Sequence, residues 1–257
     1  MACFKKGFFI TLFGLSALLF SGGFSSQAKP YKDSADTGPG RIKKTAQSEE
    51  KKEGDKGEEA VIDHIVVICG HSDNKNKVTV NDYTKAQDGS WKKNWAVNGI
   101  CGSNGISSEK KEGDKKTPEG FFAPTLTFGI KDDPGSGMHY HKIRRGDLWV
   151  DDPESPYYNR MVNASETPKN WNSAENMIEE APYYHYGIAL DYNSDGVPYK
   201  GSAIFIHCTK TDQDKYSAGC IRIPEEYMKT LIRSSDQNTR FFIMSDAKAW
   251  EEYKAKN

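Results

Sequence analysis

From residue 61 onward, the sequence consists of short apolar runs that are separated by turn-forming residues. HIVVIC and KVTV flank a polar turn at residues 72–76, and GSAIFIH and RFFIM occur later in the chain. The run YYHYGIALDYNSDG ends in a hairpin-like turn at Asp195-Gly196. Short runs rich in β-branched and aromatic residues, bounded by Gly, Asn and Asp, are typical of strands. The sequence therefore predicts one mainly β domain.

Two segments have helical rather than strand patterns. One helix is predicted over Ser173–Glu180. A second is predicted to begin at Pro224, because proline suits the first position of a helix, and to run through PEEYMKTLIRSS. The apolar residues of this second segment recur at helical spacing and share one face: Tyr227, Met228, Leu231 and Ile232. The predicted fold class is therefore mainly β with a few short helices.

The first 28 residues have the pattern of a signal peptide. Lys5 and Lys6 precede an apolar run from Gly7 to Phe20, and the small residues Ser26 and Ala28 follow it. A retained membrane anchor is the alternative, but this run of 14 residues is shorter than the roughly 20 that a bilayer-spanning helix needs. We therefore expect an exported protein of the cell wall or periplasm, without stable membrane insertion after cleavage.

Residues 29–60 form a charged segment in which hardly any side chain is suited to a core. Such a composition does not bury enough apolar area to offset the entropy of ordering, so a flexible linker is predicted. The folded domain is expected over residues 61–247 and a C-terminal tail over residues 248–257. The formal net charge of the whole chain is −1, so no global basic field favours binding to nucleic acid.

Four cysteines lie within the predicted domain: Cys69, Cys101, Cys208 and Cys220. In an oxidising compartment they could form two disulfides, and the sequence alone does not fix the pairing. A Cys208–Cys220 bridge is one alternative, because the two residues are twelve positions apart. If one cysteine must remain a thiol, at most one disulfide forms.

A histidine ends the apolar run GSAIFIH, and a cysteine follows 13 positions later, behind two small residues. The thiolate is the nucleophile in cysteine chemistry, and a nearby imidazole can accept the thiol proton and later give it to the leaving group. His207 on a rigid strand and Cys220 behind Ala218 and Gly219 fit these requirements. Gly219 also lets the backbone bend so that N–H groups face a developing oxyanion. The pattern predicts a catalytic pair, and a buried or disulfide-bonded Cys220 is the alternative.

Two groups of residues are candidate zinc ligands, but neither has the motif of a metal site. His207, Cys208 and Cys220 form the first group, although adjacent residues on a strand point to opposite faces. The HYH stretch at residues 139–141 forms the second, and a surface loop is the expected explanation for it. The sequence contains no CxxC pair and no HExxH motif. No metal site is therefore predicted.

Three stretches, in order along the chain, resemble the L,D-transpeptidase catalytic domain, often called the YkuD domain. KKTPEGFF resembles its Lys-Thr-Pro-x-Gly-x-Phe stretch, YGIALDYN resembles the strand before the histidine strand, and IFIHC with YSAGCIRIPEE resembles its active-site signature. The resemblance extends roughly from Val61 to Asp246. Two features depart from the family pattern. Ala218 stands where many members carry a second histidine, and only nine residues separate His207 from Ser217.

The resemblance implies a mostly β catalytic domain that cross-links peptidoglycan without a metal or an organic cofactor. It implies that Cys220 attacks a stem-peptide carbonyl to form a thioester, and that His207 acts first as base and then as acid. Five further residues are implied in oxyanion or substrate binding: Ser217, Gly219, Arg222, His185 and Tyr186. The structural alternatives are turn stabilisation by Ser217 and a salt bridge at Arg222. For His185 and Tyr186, the alternative is a position in the core or on the surface.

Peptidoglycan stem peptides are thus the expected donor and acceptor, and 3–3 cross-links are the expected product. Two other functions would use the same groove. One is hydrolysis by an L,D-carboxypeptidase or an amidase, in which water takes the thioester, and the other is an inactive module that binds the wall. Thr117, Pro118 and Gly120 are expected to set a turn and to do no chemistry. The sequence predicts neither the acceptor, nor the oligomeric state, nor the effect of Ala218.

Overall fold

A computed structural model describes residues 62–256 of the 257-residue chain. The predicted signal peptide and linker, residues 1–28 and 29–60, lie outside the described residues. The described residues form 15 strands: β1 (His64–Gly70), β2 (Lys77–Lys85), β3 (Trp91–Ile100), β4 (Ile106–Ser107), β5 (Thr117–Pro118), β6 (Gly120–Phe122), β7 (Pro124–Gly129), β8 (Tyr140–Lys142), β9 (Asp147–Val150), β10 (Arg160–Asn163), β11 (Ala174–Asn176), β12 (Gly187–Leu190), β13 (Phe205–Cys208), β14 (Ile221–Ile223) and β15 (Arg240–Met244).

Helical structure is sparse in the part of the chain that the structure describes. It comprises two α-helices, α1 (Glu225–Ser234) and α2 (Lys248–Lys256), and two 3₁₀ helices, Met177–Glu180 and Tyr183–His185. Over residues 62–256, no helix has the length and apolar character that a bilayer span requires. The prediction of a mainly β fold with a few short helices is confirmed.

Ten strands form one sheet, in the order β6-β15-β1-β2-β3-β14-β13-β12-β7-β8. Most neighbours are antiparallel, whereas β1 with β15, β7 with β8, and β13 with β14 are parallel. Smaller sheets are formed by β10-β9-β11 and by β4-β5. Since β13 and β14 have bonded neighbours on both sides, the strand that ends near His207 and the strand that follows Cys220 lie in the interior of the sheet.

The side chains of β13 and β14 alternate between two cores on opposite faces of the sheet. Ile206, Cys208 and Ile221 lie in the first core, which α1 covers. Phe205 lies in the second core, and Cys220 packs against it. Cys208 and Cys220 therefore face opposite sides, and a bridge between them is not formed. All four cysteines of the described residues are free thiols.

Of the two predicted helices, one is confirmed and one is partly wrong. The helix after Pro224 is confirmed as α1, whose Met228 and Leu231 are fully buried. The prediction of a helix over Ser173–Glu180 is wrong for its first half, which forms β11 and pairs with β9. Only Met177–Glu180 is helical, as a 3₁₀ turn. Pairing with a neighbouring strand outweighs the weak helical preference of a short polar stretch.

The segment predicted as a C-terminal tail contains α2, which packs against β1 and β15. Trp250 of α2 is 5% exposed and lies in a third core with Ile65, Val67 and Met244. Its ring stacks on that of Tyr253 at 5.7 Å. The aromatic side chains of α2 thus contribute to the packing of the described domain.

Candidate active site

Residues 217–220 form a turn that leads into β14, and the hydroxyl group of Ser217 holds this turn together. Ser217 Oγ accepts a hydrogen bond from the Gly219 N–H at 3.0 Å and donates to the Cys220 carbonyl oxygen at 2.5 Å. The Ser217 N–H donates to the Cys101 carbonyl oxygen at 2.9 Å. These contacts correspond to the turn-stabilising alternative for Ser217. A role in binding substrate stays a prediction.

A second hydroxyl group, from a residue 102 positions earlier, fixes the peptide group in front of Cys220. Thr117 Oγ1 donates to the Gly219 carbonyl oxygen at 2.6 Å and accepts from the Gly102 N–H at 2.9 Å. Because the C=O and N–H of a trans peptide point in opposite directions, the Cys220 N–H points away from Thr117. Thr117 is therefore a positioning residue for this peptide, where the sequence predicted only a turn.

Gly219 occupies a position that excludes other residues for two reasons. Its φ is +156°, and a Cβ there would lie 3.0 Å from the Lys116 carbonyl oxygen and 3.4 Å from Ile204 Cδ1. An L side chain would be strained by the first feature and crowded by the second. Glycine thus lets the turn pass close to the backbone at Lys116 while Thr117 holds its carbonyl oxygen.

The Cys220 thiol is protonated in the resting structure. Its Sγ donates to the Ala203 carbonyl oxygen at 3.1 Å. Burial raises the pKa of the Cys220 thiol to about 12, and the negative charge of Glu175 adds to this shift. The Phe205 N–H acts in the opposite direction, because it faces the sulfur and favours the thiolate. Cys220 therefore needs a base, or a change in its surroundings, before it can act as a nucleophile.

His207 lies on the sheet face that Cys220 also occupies. In the parallel pairing of β13 and β14, His207 is opposite Arg222. Cys220, two residues before Arg222, is consequently beside Phe205, two residues before His207. Side chains two residues apart on a strand share a face. The fold thus brings the imidazole and the thiol to one side of the sheet, with the thiol proton directed to Ala203 in this structure.

The His207 ring is buried and neutral. Its side chain is enclosed by the rings of Tyr183 and Tyr184, at 5.9 and 5.1 Å between centroids. The pKa of His207 is lowered to about 3. Burial of the ring is the main cause, and the positive charge of the Arg222 guanidinium acts in the same direction. Nδ1 lies 3.1 Å from the Cys208 carbonyl oxygen, which only accepts hydrogen bonds. A proton on Nδ1 is donated to this oxygen, and the backbone of Tyr183 also favours the protonated ring.

A cavity of ≈ 190 Å³ opens beside Cys220. The predicted site residues among its lining are Gly219 and Cys220, together with Ala218. The other lining residues come from four parts of the chain: Lys110, Glu112, Gly113, Lys115, Asp151, Glu175, Ser202, Ala203 and Ile204. The wall combines charged side chains with small and apolar residues, so it offers polar partners to a ligand on a partly apolar surface.

Arg222 faces a different cavity from the one beside Cys220. Its guanidinium lies 3.9 Å from the centroid of the Tyr183 ring, and its Nη1 is 3.9 Å from an Asp214 carboxylate oxygen. Both residues line the second cavity with Arg222. The Nε of Arg222 is buried without a hydrogen-bond partner in the described structure. The contact with a substrate carboxylate that the sequence predicts for Arg222 would be made in this second cavity.

His185 and Tyr186 are not among the residues that line the cavity beside Cys220. His185 Nδ1 lies 2.8 Å from Glu225 Oε2 at the start of α1, and Lys131 Nζ lies 2.7 Å from the other oxygen of that carboxylate. Tyr186 is 7% exposed and belongs to the first core. These positions correspond to the structural alternatives, and substrate binding by either residue stays a prediction.

Glu175 is a cavity residue that the sequence did not single out. The Tyr184 hydroxyl donates to Glu175 Oε2 at 2.5 Å. Burial raises the pKa of the Glu175 carboxyl to about 7, and the charges of Glu180 and Asp151 add to the shift. The carboxyl group is therefore close to its titration midpoint at neutral pH. No motif surrounds it in the stretch NSAENM, so only its place in the fold reveals it.

Within residues 62–256, no cluster of three or more His, Cys, Asp or Glu side chains has a geometry able to hold a metal ion. His207 and Cys220 are on one sheet face and Cys208 is on the other, so the first candidate zinc group is not brought together. His141 Nε2 instead lies 2.7 Å from Asp147 Oδ2. This contact with Asp147 accounts for the position of the His141 ring.

One family model matches the chain, over residues 75–243. It is YkuD, the L,D-transpeptidase catalytic domain. The matched segment is more than half of the chain and contains both His207 and Cys220. No match was found among curated proteins.

Several solved structures are similar to the chain at low identity. The helical cell shape determining protein Pgp2 from Campylobacter jejuni is 19% identical, with 72% of this chain and 49% of that chain covered and a TM-score of 0.39. Bd1075 from Bdellovibrio bacteriovorus is 13% identical, with 74% and 53% covered and a TM-score of 0.38. An L,D-transpeptidase from Enterococcus faecium is 14% identical, with 71% and 50% covered and a TM-score of 0.34. The chain spans about half the length of these solved proteins.

Proposed function

Since the chain belongs to the L,D-transpeptidase catalytic domain family, we propose that it is an exported, cysteine-dependent L,D-transpeptidase that forms 3–3 cross-links in peptidoglycan. Cys220 is the proposed nucleophile and His207 the proposed general base. One observation carries the proposal: Cys220 lines a cavity and shares a sheet face with His207. The donor and the acceptor are both stem peptides.

In the acylation step, Cys220 Sγ attacks the carbonyl carbon of the third stem-peptide residue and its proton passes to the His207 imidazole. The C–S bond forms and the C–N bond to the terminal D-alanine breaks, while the imidazolium returns the proton to the leaving amine. The pKa of Cys220 is about 12 and that of His207 about 3. A resting thiolate–imidazolium pair is therefore not populated, and the proton moves as the sulfur attacks.

Two features of the turn bear on this step. The thiol proton is directed to the Ala203 carbonyl oxygen, so rotation about the Cα–Cβ bond of Cys220 must precede transfer to the imidazole. The Gly219 N–H is already donated to Ser217 Oγ. The proposed oxyanion donor is consequently the Cys220 N–H, whose peptide group is oriented by Thr117.

In the second step, an amine of a neighbouring stem peptide attacks the thioester carbonyl. The C–N bond of the cross-link forms, the C–S bond breaks, and the amine proton returns to Cys220 through His207. If water enters instead, the same thioester gives a shortened stem peptide. The relative access of amine and water to this carbonyl therefore separates transpeptidation from hydrolysis.

Intact-protein mass spectrometry after exposure to a disaccharide-tetrapeptide tests the proposed nucleophile. We expect an adduct of the donor mass minus D-alanine on the wild-type protein, and none on Cys220→Ala. Cys208→Ala is the matched control, because Cys208 is a buried free thiol on the opposite sheet face. Adduct formation that survives in Cys220→Ala would rule out the proposed chemistry.

Incubation of the wild-type protein with purified sacculi, followed by muropeptide analysis, tests the reaction type. New 3–3 dimers are expected. Shortened stem peptides without dimers would identify a hydrolase, and the absence of both products and of a thioester would identify a binding module. Export is tested separately by fractionation of cells that produce the full chain, with the protein expected outside the cytoplasm.

A further inference from the structure

We infer that Asn159 is a positioning residue for the nucleophile, because it holds Ala203 in the backbone conformation that directs a carbonyl oxygen to the Cys220 thiol. This inference rests on the proposed role of Cys220 and adds how its resting state is set. The thiol stays protonated and directed away from His207 until the contact with Ala203 is broken. Asn159 does not line the cavity beside Cys220, so it acts on the sulfur through Ala203.

The backbone of Ala203 adopts a left-handed conformation, with a φ of +52°. The Cβ atom makes this conformation costly for alanine, so it persists only where the surrounding contacts impose it. Ala203 is 7% exposed, and its carbonyl oxygen accepts the hydrogen bond from Cys220 Sγ at 3.1 Å. The strained residue is thus the one that binds the thiol proton.

Hydrogen bonds from other parts of the chain hold three consecutive residues of this segment. They join the Gly201 N–H to Tyr158 OH at 3.0 Å, Ser202 Oγ to Glu112 Oε2 at 2.7 Å, and the Ala203 N–H to Asn159 Oδ1 at 3.0 Å. The last bond fixes the N–H of the residue whose carbonyl oxygen contacts the sulfur. Without this bond, Ala203 is expected to relax to a negative φ, and its carbonyl group would turn away from Cys220.

The side-chain amide of Asn159 has one orientation that satisfies all its neighbours. Oδ1 accepts from the Ala203 N–H and from Trp149 Nε1, each at 3.0 Å. Nδ2 donates to the carbonyl oxygens of Tyr192 and Asn193, at 3.0 and 2.9 Å. An amide group has two donor hydrogens and two acceptor lone pairs, and all four are used here. Exchange of the oxygen and the nitrogen would set donors against donors, so Oδ1 is fixed toward Ala203.

Cys220 Sγ lies between two backbone groups that have opposite effects on its ionisation. The Ala203 carbonyl oxygen only accepts hydrogen bonds, so it stabilises the protonated thiol. The Phe205 N–H only donates, and it lowers the pKa of Cys220. Burial is the larger influence and raises this pKa to about 12. Loss of the contact with Ala203 would leave the Phe205 N–H in place, so the thiolate would form more easily.

The segment that carries this contact is also part of the cavity wall. Ser202, Ala203 and Ile204 line the cavity beside Cys220. A donor peptide that enters the cavity therefore lies against this segment. Binding of the donor and release of the thiol from Ala203 thus take place on the same surface.

Infrared spectroscopy of the S–H stretching band tests the contact between Cys220 and Ala203 in the full chain. The difference spectrum between the wild-type protein and Cys220→Ala isolates the band of this thiol. We expect the band at a lower frequency than that of an unbonded thiol in an apolar solvent, because the S–H group is donated to a carbonyl oxygen. A band at the frequency of the unbonded thiol would overturn the inference, and this comparison needs no variant of Asn159.

Asn159→Gly tests the positioning role, because it removes the amide at a position whose φ of +57° glycine adopts freely. We expect the Cys220 band to move toward the frequency of the unbonded thiol. Asn163→Gly is the matched control and should leave the band in place, because the Asn163 amide also makes four hydrogen bonds but none to residues 201–205. Its partners are Arg145, Asp147 and Ser165. An unchanged band in folded Asn159→Gly, or an equal shift in the control, would overturn the inference.

Iodoacetamide labelling at pH about 8 gives a second readout. Loss of one hydrogen bond that favours the thiol should make Cys220 react about fivefold faster in Asn159→Gly than in the wild-type protein. Cys208, a buried thiol on the opposite sheet face, should keep its rate. Equal acceleration at both cysteines would indicate general loosening of the domain and would overturn the inference. Both readouts concern the resting thiol, whereas thioester formation tests the proposed function, so failure of either claim can be distinguished.

Discussion

Thr117→Val is the substitution that most directly tests the geometry of the site. It replaces a fully buried hydroxyl by a methyl group of similar size, so packing is preserved while two hydrogen bonds are lost. The Gly219 carbonyl oxygen and the Gly102 N–H then lack this partner. Each unsatisfied buried group costs about 1–3 kcal/mol, so the free energy of unfolding should fall by roughly 2–6 kcal/mol.

Loss of the hydrogen bond from Thr117 to the Gly219 carbonyl oxygen should also slow acylation, because the Gly219–Cys220 peptide is then free to rotate. Loss of one oxyanion donor lowers a rate by about 10²- to 10³-fold. Alkylation by iodoacetamide builds no oxyanion, so its rate at Cys220 should not fall. The measurements are urea unfolding, single-turnover thioester formation and iodoacetamide labelling, each under conditions where the variant is folded.

Thr127→Val is the control for stability. Thr127 is likewise fully buried, and its Oγ1 lies 2.9 Å from both Ser136 Oγ and the His139 carbonyl oxygen, away from the turn at Cys220. The Thr127→Val variant should have a lower free energy of unfolding than the wild-type protein but should form the thioester at the wild-type rate. Equal losses of acylation and alkylation in Thr117→Val, or wild-type acylation in that variant, would refute the assigned role of Thr117.

Three further outcomes are expected. Gly219→Ala should lower the free energy of unfolding by about 1–3 kcal/mol, because of the positive φ and the contact with Lys116; an unchanged urea midpoint would contradict this. Trp250→Ala should cost about 3–5 kcal/mol, since the ring is buried in the third core; a loss below about 1 kcal/mol would show that α2 is dispensable for stability. Iodoacetamide labelling of Cys220 should accelerate about tenfold per pH unit from pH ~7 to ~10, because its pKa of about 12 keeps the thiolate scarce; a plateau below pH ~9 would contradict the raised pKa.

Local sequence patterns predicted those parts of the fold that depend on interactions between residues close together in the sequence. The apolar runs became strands, and the face of α1 was correct to the residue for Met228 and Leu231. Period-two alternation also indicated that adjacent strand residues separate, as Cys208 and His207 do. The pattern failed at Ser173–Glu180, where pairing of β11 with β9 depends on a strand elsewhere in the chain.

The site was predictable only in part, for a similar reason. The segment around Cys220 carries a recognisable signature, whereas Thr117 and Glu175 reach it through contacts that are distant in sequence. The bond from Thr117 to Gly219 spans 102 positions, and Glu175 enters the cavity because β11 lies at the edge of the small sheet. Neither position has a local pattern that distinguishes it from an ordinary polar residue.

The parallel pairing of β13 with β14 has a consequence for the connection between them, residues 209–220. Hydrogen bonds on both sides of these strands fix which residues are opposite one another, independently of the path that the connection takes outside the sheet. Its outer part can therefore gain or lose residues while the imidazole and the sulfur keep their places. The spacing from Ser217 to Arg222 has no such freedom, because a single insertion there would turn Cys220 toward the opposite face of the sheet.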